Sequence, residues 1–356
     1  MKITFPVFGL GGAGGVKALI RIANGLVDRG HDVSFVLPLG GYSKIYPTKA
    51  KLIRTLPIID GYKKLHVPYM DLLASCIALA PRIPKSDIVC ASYCLTALPT
   101  LIATRLLKKG IPFYFVQHYE SLFFDKSYQS GYRSHVKGSY RYFENIITVS
   151  KWLDDKIYEH TGRRSAVINP GIDLDIFRPL KSEKDDIKTV LCLGVNIIWK
   201  GNADVVKAME IVYEKYKKVK LLIVGRAKIE VNSEIPHEQR QASDEELAQL
   251  YSSCDVYVLG SWYEGCPAPP LEAMACGVPV VSTDNLGIRE YGIDGKNCLI
   301  VPPRNPEAMA DAILRLLSDK DLCRKLSEEG LKTAQQFTWD KTVDKVEKLF
   351  KEALSR

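Results

Sequence analysis

At 356 residues the chain has room for two domains of ordinary size, and 46% hydrophobic with 25% charged residues is the composition of a folded globular protein. No apolar stretch reaches the roughly 20 residues needed to span a bilayer, which excludes a membrane-spanning helix. The net charge of +8 is uneven: residues 1–178 hold 24 Lys and Arg against 13 Asp and Glu, and the remainder 25 against 28. An acidic membrane surface, nucleic acid or a phosphate-bearing substrate would each suit so basic a half, as would a merely solvated surface.

Strand and helix patterns alternate along the chain, which predicts parallel sheets with crossover helices. Ile3–Phe8 reads as a strand; the apolar start is broken by Gly9–Gly15 too early for a leader peptide. Val16–Arg29 reads as a helix and Asp32–Leu37 as the next strand. Ile88–Cys90 begins another strand before a helix near Leu98–Lys108, and Pro112–Gln117 and Asn145–Val149 follow as buried strands. Trp152–His160 reads as a helix that Ser150 can cap. The pattern breaks around Ile168–Asp173, and the polar run Lys181–Lys188 is the best linker. A second series follows: strands Thr189–Leu193, Lys220–Val224, Val256–Ser261, Val278–Ser282 and Cys298–Val301. Its helices are Ala203–Tyr216, Asp244–Ser252, Leu271–Cys276, Pro306–Ser318 and Asp321–Gln336, and a last amphipathic helix runs from Phe337 to about Leu354.

The nine cysteines form no framework. Cys90 and Cys94 lack a second pair, so no metal site is expected, and thiols inside apolar runs suit a reducing cytoplasm.

Four segments carry chemistry. Gly9-Leu-Gly-Gly-Ala-Gly14 has the spacing of a dinucleotide loop, but its second strand ends Phe35-Val-Leu-Pro-Leu39 without the acid that would hold a ribose, so neither nicotinamide nor flavin is expected. Trp199-Lys200-Gly201 follows a strand end, where a lysine can face a diphosphate. Val116-Gln-His118-Tyr-Glu120 ends a strand in the basic half. The richest segment is Glu264-Gly-Cys-Pro-Ala-Pro-Pro-Leu-Glu272, between a strand and a helix. Ligands of open α/β sheets bind at such strand ends, and helix starts attract anions. Carboxylates there suit sugar hydroxyls, so a sugar nucleotide fits. Lys126–Phe143 mixes basic and aromatic residues, which fits a membrane interface, an acidic acceptor or a half-buried helix equally well. No nucleic-acid-binding module is apparent.

Together these features resemble the retaining glycosyltransferases of the GT-B type, family 4, over nearly the whole chain. The resemblance is carried by Gly9–Gly15, by Asn169-Pro-Gly-Ile-Asp173 with Phe177 and Pro179, by Trp199-Lys200-Gly201, and by Ser253–Val258 leading into Glu264–Glu272 and Ala273–Val280. It implies an α/β fold of two Rossmann-like domains facing across a cleft. The acceptor domain would be 1–178 joined by 338–356, and the donor domain 179–337. It implies that Glu272 binds the ribose, that Glu264 contacts the transferred sugar and that Lys200 neutralises the diphosphate. His118 would lie near the sugar and the acceptor, and the glycine loop, through Gly11 and Gly12, near the phosphates. Gly265, Cys266, Pro267 and Ala268 complete the expected donor site. An arginine commonly found five residues before the lysine is here Val195; either another base, with Arg226 at the next strand end the candidate, substitutes for it, or the diphosphate is held more weakly. A glycine pair usual near Asn285-Leu-Gly287 is half present.

The expected activity is retaining sugar transfer from a nucleoside-diphosphate sugar, without a metal or other cofactor. The acceptor is expected to be anionic, lipid-linked or a glycan, in cell-surface polysaccharide or glycoconjugate synthesis. No nucleic acid is expected as a partner; the expected location is cytoplasmic, with an anionic inner membrane face as a candidate docking surface. The alternatives are a non-catalytic sugar-nucleotide-binding scaffold and a sugar-nucleotide epimerase of the same fold.

Overall fold

The structure, a computed structural model, describes residues 1–11, 14–39, 46–55, 68–123, 130–181 and 186–356. It divides into two compact units, Met1–Pro170 with Trp339–Arg356, and Gly171–Thr338. The boundary lies ahead of the expected 178/179 because Ile172 bridges to Thr338 and Phe177 packs on Tyr251 inside the second unit. By this division the first unit holds 28 basic and 15 acidic residues and the second 21 and 26, so the charge asymmetry is sharper than the half-chains suggest.

The first unit contains β1 (Lys2–Pro6), α1 (Gly14–Asp28), β2 (Asp32–Pro38), β3 (Lys51–Thr55), α2 (Pro68–Leu79), β4 (Ile88–Ala91), α3 (Cys94–Leu101), β5 (Ile111–Val116), α4 (Ser130–Arg141), β6 (Asn145–Thr148), α5 (Lys151–Thr161) and β7 (Ala166–Val167). Its strands are all parallel, in the order β3-β2-β1-β4-β5-β6-β7. Buried runs such as Ile88-Val-Cys-Ala91 are what a sheet covered on both faces requires. Ser150 stands at the start of α5, but its hydroxyl makes no capping bond; the expected cap is a position only. Beyond α3 the chain continues as a π-helical turn, Ile102–Leu106, where one continuous helix was expected.

The second unit contains β8 (Lys188–Leu193), α6 (Asn202–Lys215), β9 (Val219–Val224), β10 (His237–Arg240), α7 (Asp244–Ser253), β11 (Val256–Leu259), α8 (Ala268–Ala275), β12 (Val280–Thr283), β13 (Leu299–Val301), α9 (Pro306–Ser318) and α10 (Lys320–Ala334). Its parallel order is β10-β9-β8-β11-β12-β13. Each face of this sheet carries its own apolar cluster: Val190, Met209, Val212 and Ile313 in one, and Leu191, Tyr257, Leu271 and Met274 in the other.

The last helix, α11 (Trp339–Leu354), belongs to the first unit. Its apolar stripe explains why. Val343, Val346 and Phe350 are buried, Phe350 meets Phe113 edge-on at 4.8 Å, and Val343 fills the space that a side chain at Gly25 would need. Around the stripe, Arg29 pairs with Asp344 at 2.6 Å, and Glu347 takes both Lys351 and His31, which pull its carboxyl down to about 2.

Candidate active site

In the second sheet the strand order reverses between β8 and β11, the point where ligands of open α/β sheets bind. The segments leaving these two strands carry the residues singled out above. After β8 the chain makes a short 3₁₀ turn, Ile198–Lys200, closed by Gly201 at φ +65°. A Cβ on Gly201 would stand 1.9 Å from the Gly260 carbonyl oxygen, so this turn lies directly on the end of β11. Trp262 N–H donates to the Trp199 carbonyl at 2.8 Å and fastens the two segments.

The result is an ion pair. Lys200 Nζ lies 2.7 Å from Glu264 Oε1, with the lysine side chain 28% and the glutamate side chain 11% exposed. Glu264 is held from the next strand as well. Its N–H donates to the Asn285 carbonyl at 2.9 Å, and Gly287 lies so close that a Cβ there would meet the Gly265 carbonyl oxygen at 2.6 Å. Asn285, wholly buried, accepts the Ile288 N–H at 2.9 Å, and the Thr283 hydroxyl donates to the Ser261 carbonyl. Trp199 and Tyr263 stack at 6.0 Å, and Trp262 is pinned between Asp204, at 2.7 Å, and the Arg304 guanidinium over its ring.

Glu272 lies half-buried in the second turn of α8. Burial first, then Cys192, Glu272 and Glu264, push the Tyr257 hydroxyl of β11 well above its ordinary value. The turn between them is poorer in donors than the sequence reading assumed. A helix start leaves four N–H groups unpaired, here Pro267, Ala268, Pro269 and Pro270, and three of these residues have none. Among the described residues, the N–H groups of this turn that remain available to an anion are those of Cys266 and Ala268.

Of the other expected residues, Arg226 stands exposed two positions past β9, without an ion pair among the described residues. At Val195 the backbone N–H is taken by Asn202 Oδ1 at 3.0 Å, and Asn202 in turn donates to the Leu193 carbonyl at 2.7 Å. Where the glycine pair is half present, Leu286 itself adopts φ +67°, a conformation that disfavours L side chains. His118, half-buried after β5, and Gly11, after β1, belong to the first unit, and Gly12 lies outside the described residues. Sequence reasoning missed Asn202, the bonds that Asn285 makes and the Trp262–Arg304 contact, because these groups act by bonding the backbone or each other.

The family profile described as "Glycosyl transferases group 1" matches residues 175–333, and that described as "Glycosyltransferase Family 4" matches residues 12–176. An uncharacterized glycosyltransferase of Methanocaldococcus jannaschii is 25% identical, over 99% of this chain and 98% of its own. A D-inositol 3-phosphate glycosyltransferase of Thermobispora bispora is 25% identical over 61% of this chain and 56% of its own. Among solved structures, sucrose-phosphate synthase from Thermosynechococcus elongatus superposes with a TM-score of 0.81 at 20% identity, covering 99% of each chain. HepE of Anabaena, in complex with UDP and glucose, superposes with a TM-score of 0.76 at 17% identity, covering 99% of this chain and 100% of its own. These structures share the fold, GT-B, with two Rossmann-like domains.

Proposed function

The chain belongs to family 4 of the glycosyltransferases, and from that membership we propose that it moves a sugar, with retention at the anomeric carbon, from a nucleoside-diphosphate sugar to an anionic acceptor, lipid-linked or glycan, in cell-surface polysaccharide or glycoconjugate synthesis. The observation that carries this reading is the Lys200–Glu264 pair at the switch point of the second sheet. In sugar transfer the departing diphosphate gains negative charge while the anomeric carbon gains positive charge. A diphosphate arriving beside Lys200 offers the ammonium a stronger partner than Glu264. The carboxylate released from the pair then accepts a hydroxyl of the transferred sugar and fixes its orientation. Lys200 and the N–H groups of Cys266 and Ala268 stabilise the leaving group, without a metal in this reading. Glu272 takes the ribose hydroxyls, Arg226 supplies the second cation, and His118 is assigned to the sugar and the acceptor. The leaving phosphate accepts the acceptor's proton, so no covalent sugar–enzyme bond forms.

A thermal-shift screen of UDP-, GDP-, ADP- and dTDP-sugars tests the donor. A ligand at a hundred times its Kd stabilises by about 2.7 kcal/mol, so one nucleotide series should raise the melting midpoint by several degrees and Lys200→Ala should abolish the rise. No shift with any of the four overturns the reading.

An exposed apolar and basic surface supports the membrane part of the reading. Leu106, Leu107 and Tyr142 are 73%, 48% and 52% exposed. They lie in the segments entering β5 and β6, on the amino-terminal edge of the first sheet. Arg105 donates to the Tyr142 carbonyl at 2.6 Å and Arg163 to the Arg141 carbonyl at 2.8 Å, so the apolar and basic groups are contiguous. Such a face suits anionic headgroups. The protein should pellet with phosphatidylglycerol vesicles at low salt and be released as salt rises, and Leu106→Glu with Leu107→Glu should prevent pelleting. Failure to pellet at any salt removes the membrane from the proposal.

A further inference from the structure

We propose that Glu120 is a positioning residue for His118, clamping the segment Gln117–Glu120 to the amino end of α3. The inference rests on the reading of His118 as a residue of the reacting centre. Glu120 is 3% exposed, and its Oε2 accepts the Cys94 N–H, the first of α3, at 2.7 Å, while the Tyr114 hydroxyl of β5 stands 3.4 Å from Oε1. Around it the Thr96 hydroxyl accepts the N–H groups of Ser92 and Tyr93 at 3.2 and 3.1 Å, and the Thr96 N–H donates to the Tyr93 carbonyl at 2.8 Å. Side chains of the protein itself therefore occupy the start of α3, and Glu120 supplies the carboxylate there.

The geometry makes the bond a restraint on His118. The β5 ladder fixes the chain at Val116, where it pairs with Thr148, and the carboxylate fixes it again at Glu120. Only Gln117, His118 and Tyr119 lie between. Gln117 sits against Gly15 at the start of α1, and the Tyr119 hydroxyl meets His160 Nε2 at 2.6 Å. His118 is thus the central residue of a three-residue span whose neighbours and ends are all held.

The clamp is also tunable. Burial pushes the Glu120 carboxyl up to about 7. The groups facing it are the Cys94 thiol of α3, the Tyr114 hydroxyl and Tyr140 of α4, none of them cationic. His135 of α4 lies one bond further off, 3.1 Å from the Cys94 carbonyl. As pH rises through 7 the carboxyl ionises and its bond to the helix strengthens. The folded state holds a proton between about 4.5 and 7 that the unfolded chain has lost, so this group makes stability fall as pH rises through that window.

The test is a pH titration of histidine ring signals in the whole, ligand-free protein, which has six histidines. The His118 signal is assigned by its loss in His118→Asn. In the wild type it should move with an inflection near 7 beyond its own titration, and in Glu120→Gln that inflection should vanish while the signals of His31, paired with Glu347, and His237, in the second unit, stay in place and show the fold intact. An unchanged His118 titration in folded Glu120→Gln overturns the inference alone. Undiminished turnover in His118→Asn, with the nucleotide sugar chosen by thermal shift, overturns instead the reading on which it rests.

Discussion

Replacing Lys200 or Glu264 with alanine should each cut turnover by more than tenfold while the protein still melts cooperatively. Lys200 matters more here than a phosphate-facing lysine usually would, because the chain compensates so little for it. Three of the four residues at the start of α8, counting its cap, are prolines (Pro267, Pro269 and Pro270), Val195 carries no charge, and Arg226 is exposed beyond β9. Loss of one donor to a developing charge commonly costs a factor of about 10² to 10³, which sets the scale for Lys200→Ala. The two variants differ in stability. Lys200→Ala strands a carboxylate that is 11% exposed, whereas Glu264→Ala leaves an ammonium that is 28% exposed and more easily rehydrated. Lys200→Ala should therefore be the less stable, and the double variant should recover part of that loss. Thermal melts and initial rates on all three variants measure both effects. Near-normal turnover in both single variants would remove these residues from the chemistry.

What was legible in the sequence follows the physics of each element. Buried parallel strands such as Val256–Leu259 and Thr189–Leu193 announce themselves as apolar runs, and their adjacency to loops bearing Lys200 and Glu264 points to one strand edge. The edge strand β10, His237-Glu-Gln-Arg240, is almost wholly exposed and has no apolar signature, so nothing in its composition marks it as a strand. β3 is an edge strand with an equally mixed pattern, and β7 has only two residues. The helix within Lys126–Phe143 was one of three readings of that stretch; Ser130–Arg141 is helical, burying Val136 and Tyr140. The glutamate motif is readable because its spacing is local. The clasp that aligns it is not, since Asn285, Thr283 and Gly287 act through backbone bonds from a neighbouring strand. The glycine departure gains a physical meaning only in three dimensions, where Leu286 is seen to keep the positive φ that a glycine would adopt freely.

Gly201→Ala should be the most damaging single methyl group in the second unit, and a matched control separates its two causes. Gly201 has φ +65° and Gly295 has φ +68°, but a Cβ on Gly295 meets nothing within 4 Å whereas one on Gly201 falls 1.9 Å from the Gly260 oxygen. Gly295→Ala therefore bears the conformational cost alone, about 1 kcal/mol. Gly201→Ala adds the cost of forcing two backbone segments apart, which brings the total to roughly 3 kcal/mol or more. At about 3 °C per kcal/mol for a unit of this size, the expected falls in melting midpoint are near 3 °C and 10 °C. The displacement in Gly201→Ala also moves the residue next to it. Lys200 would be carried away from the end of β11 and from Glu264, so turnover should fall further than stability alone accounts for, whereas Gly295→Ala should keep full turnover. Equal melting midpoints and equal turnover in the two variants would mean that the close approach of Gly201 to Gly260 does not hold the lysine in place.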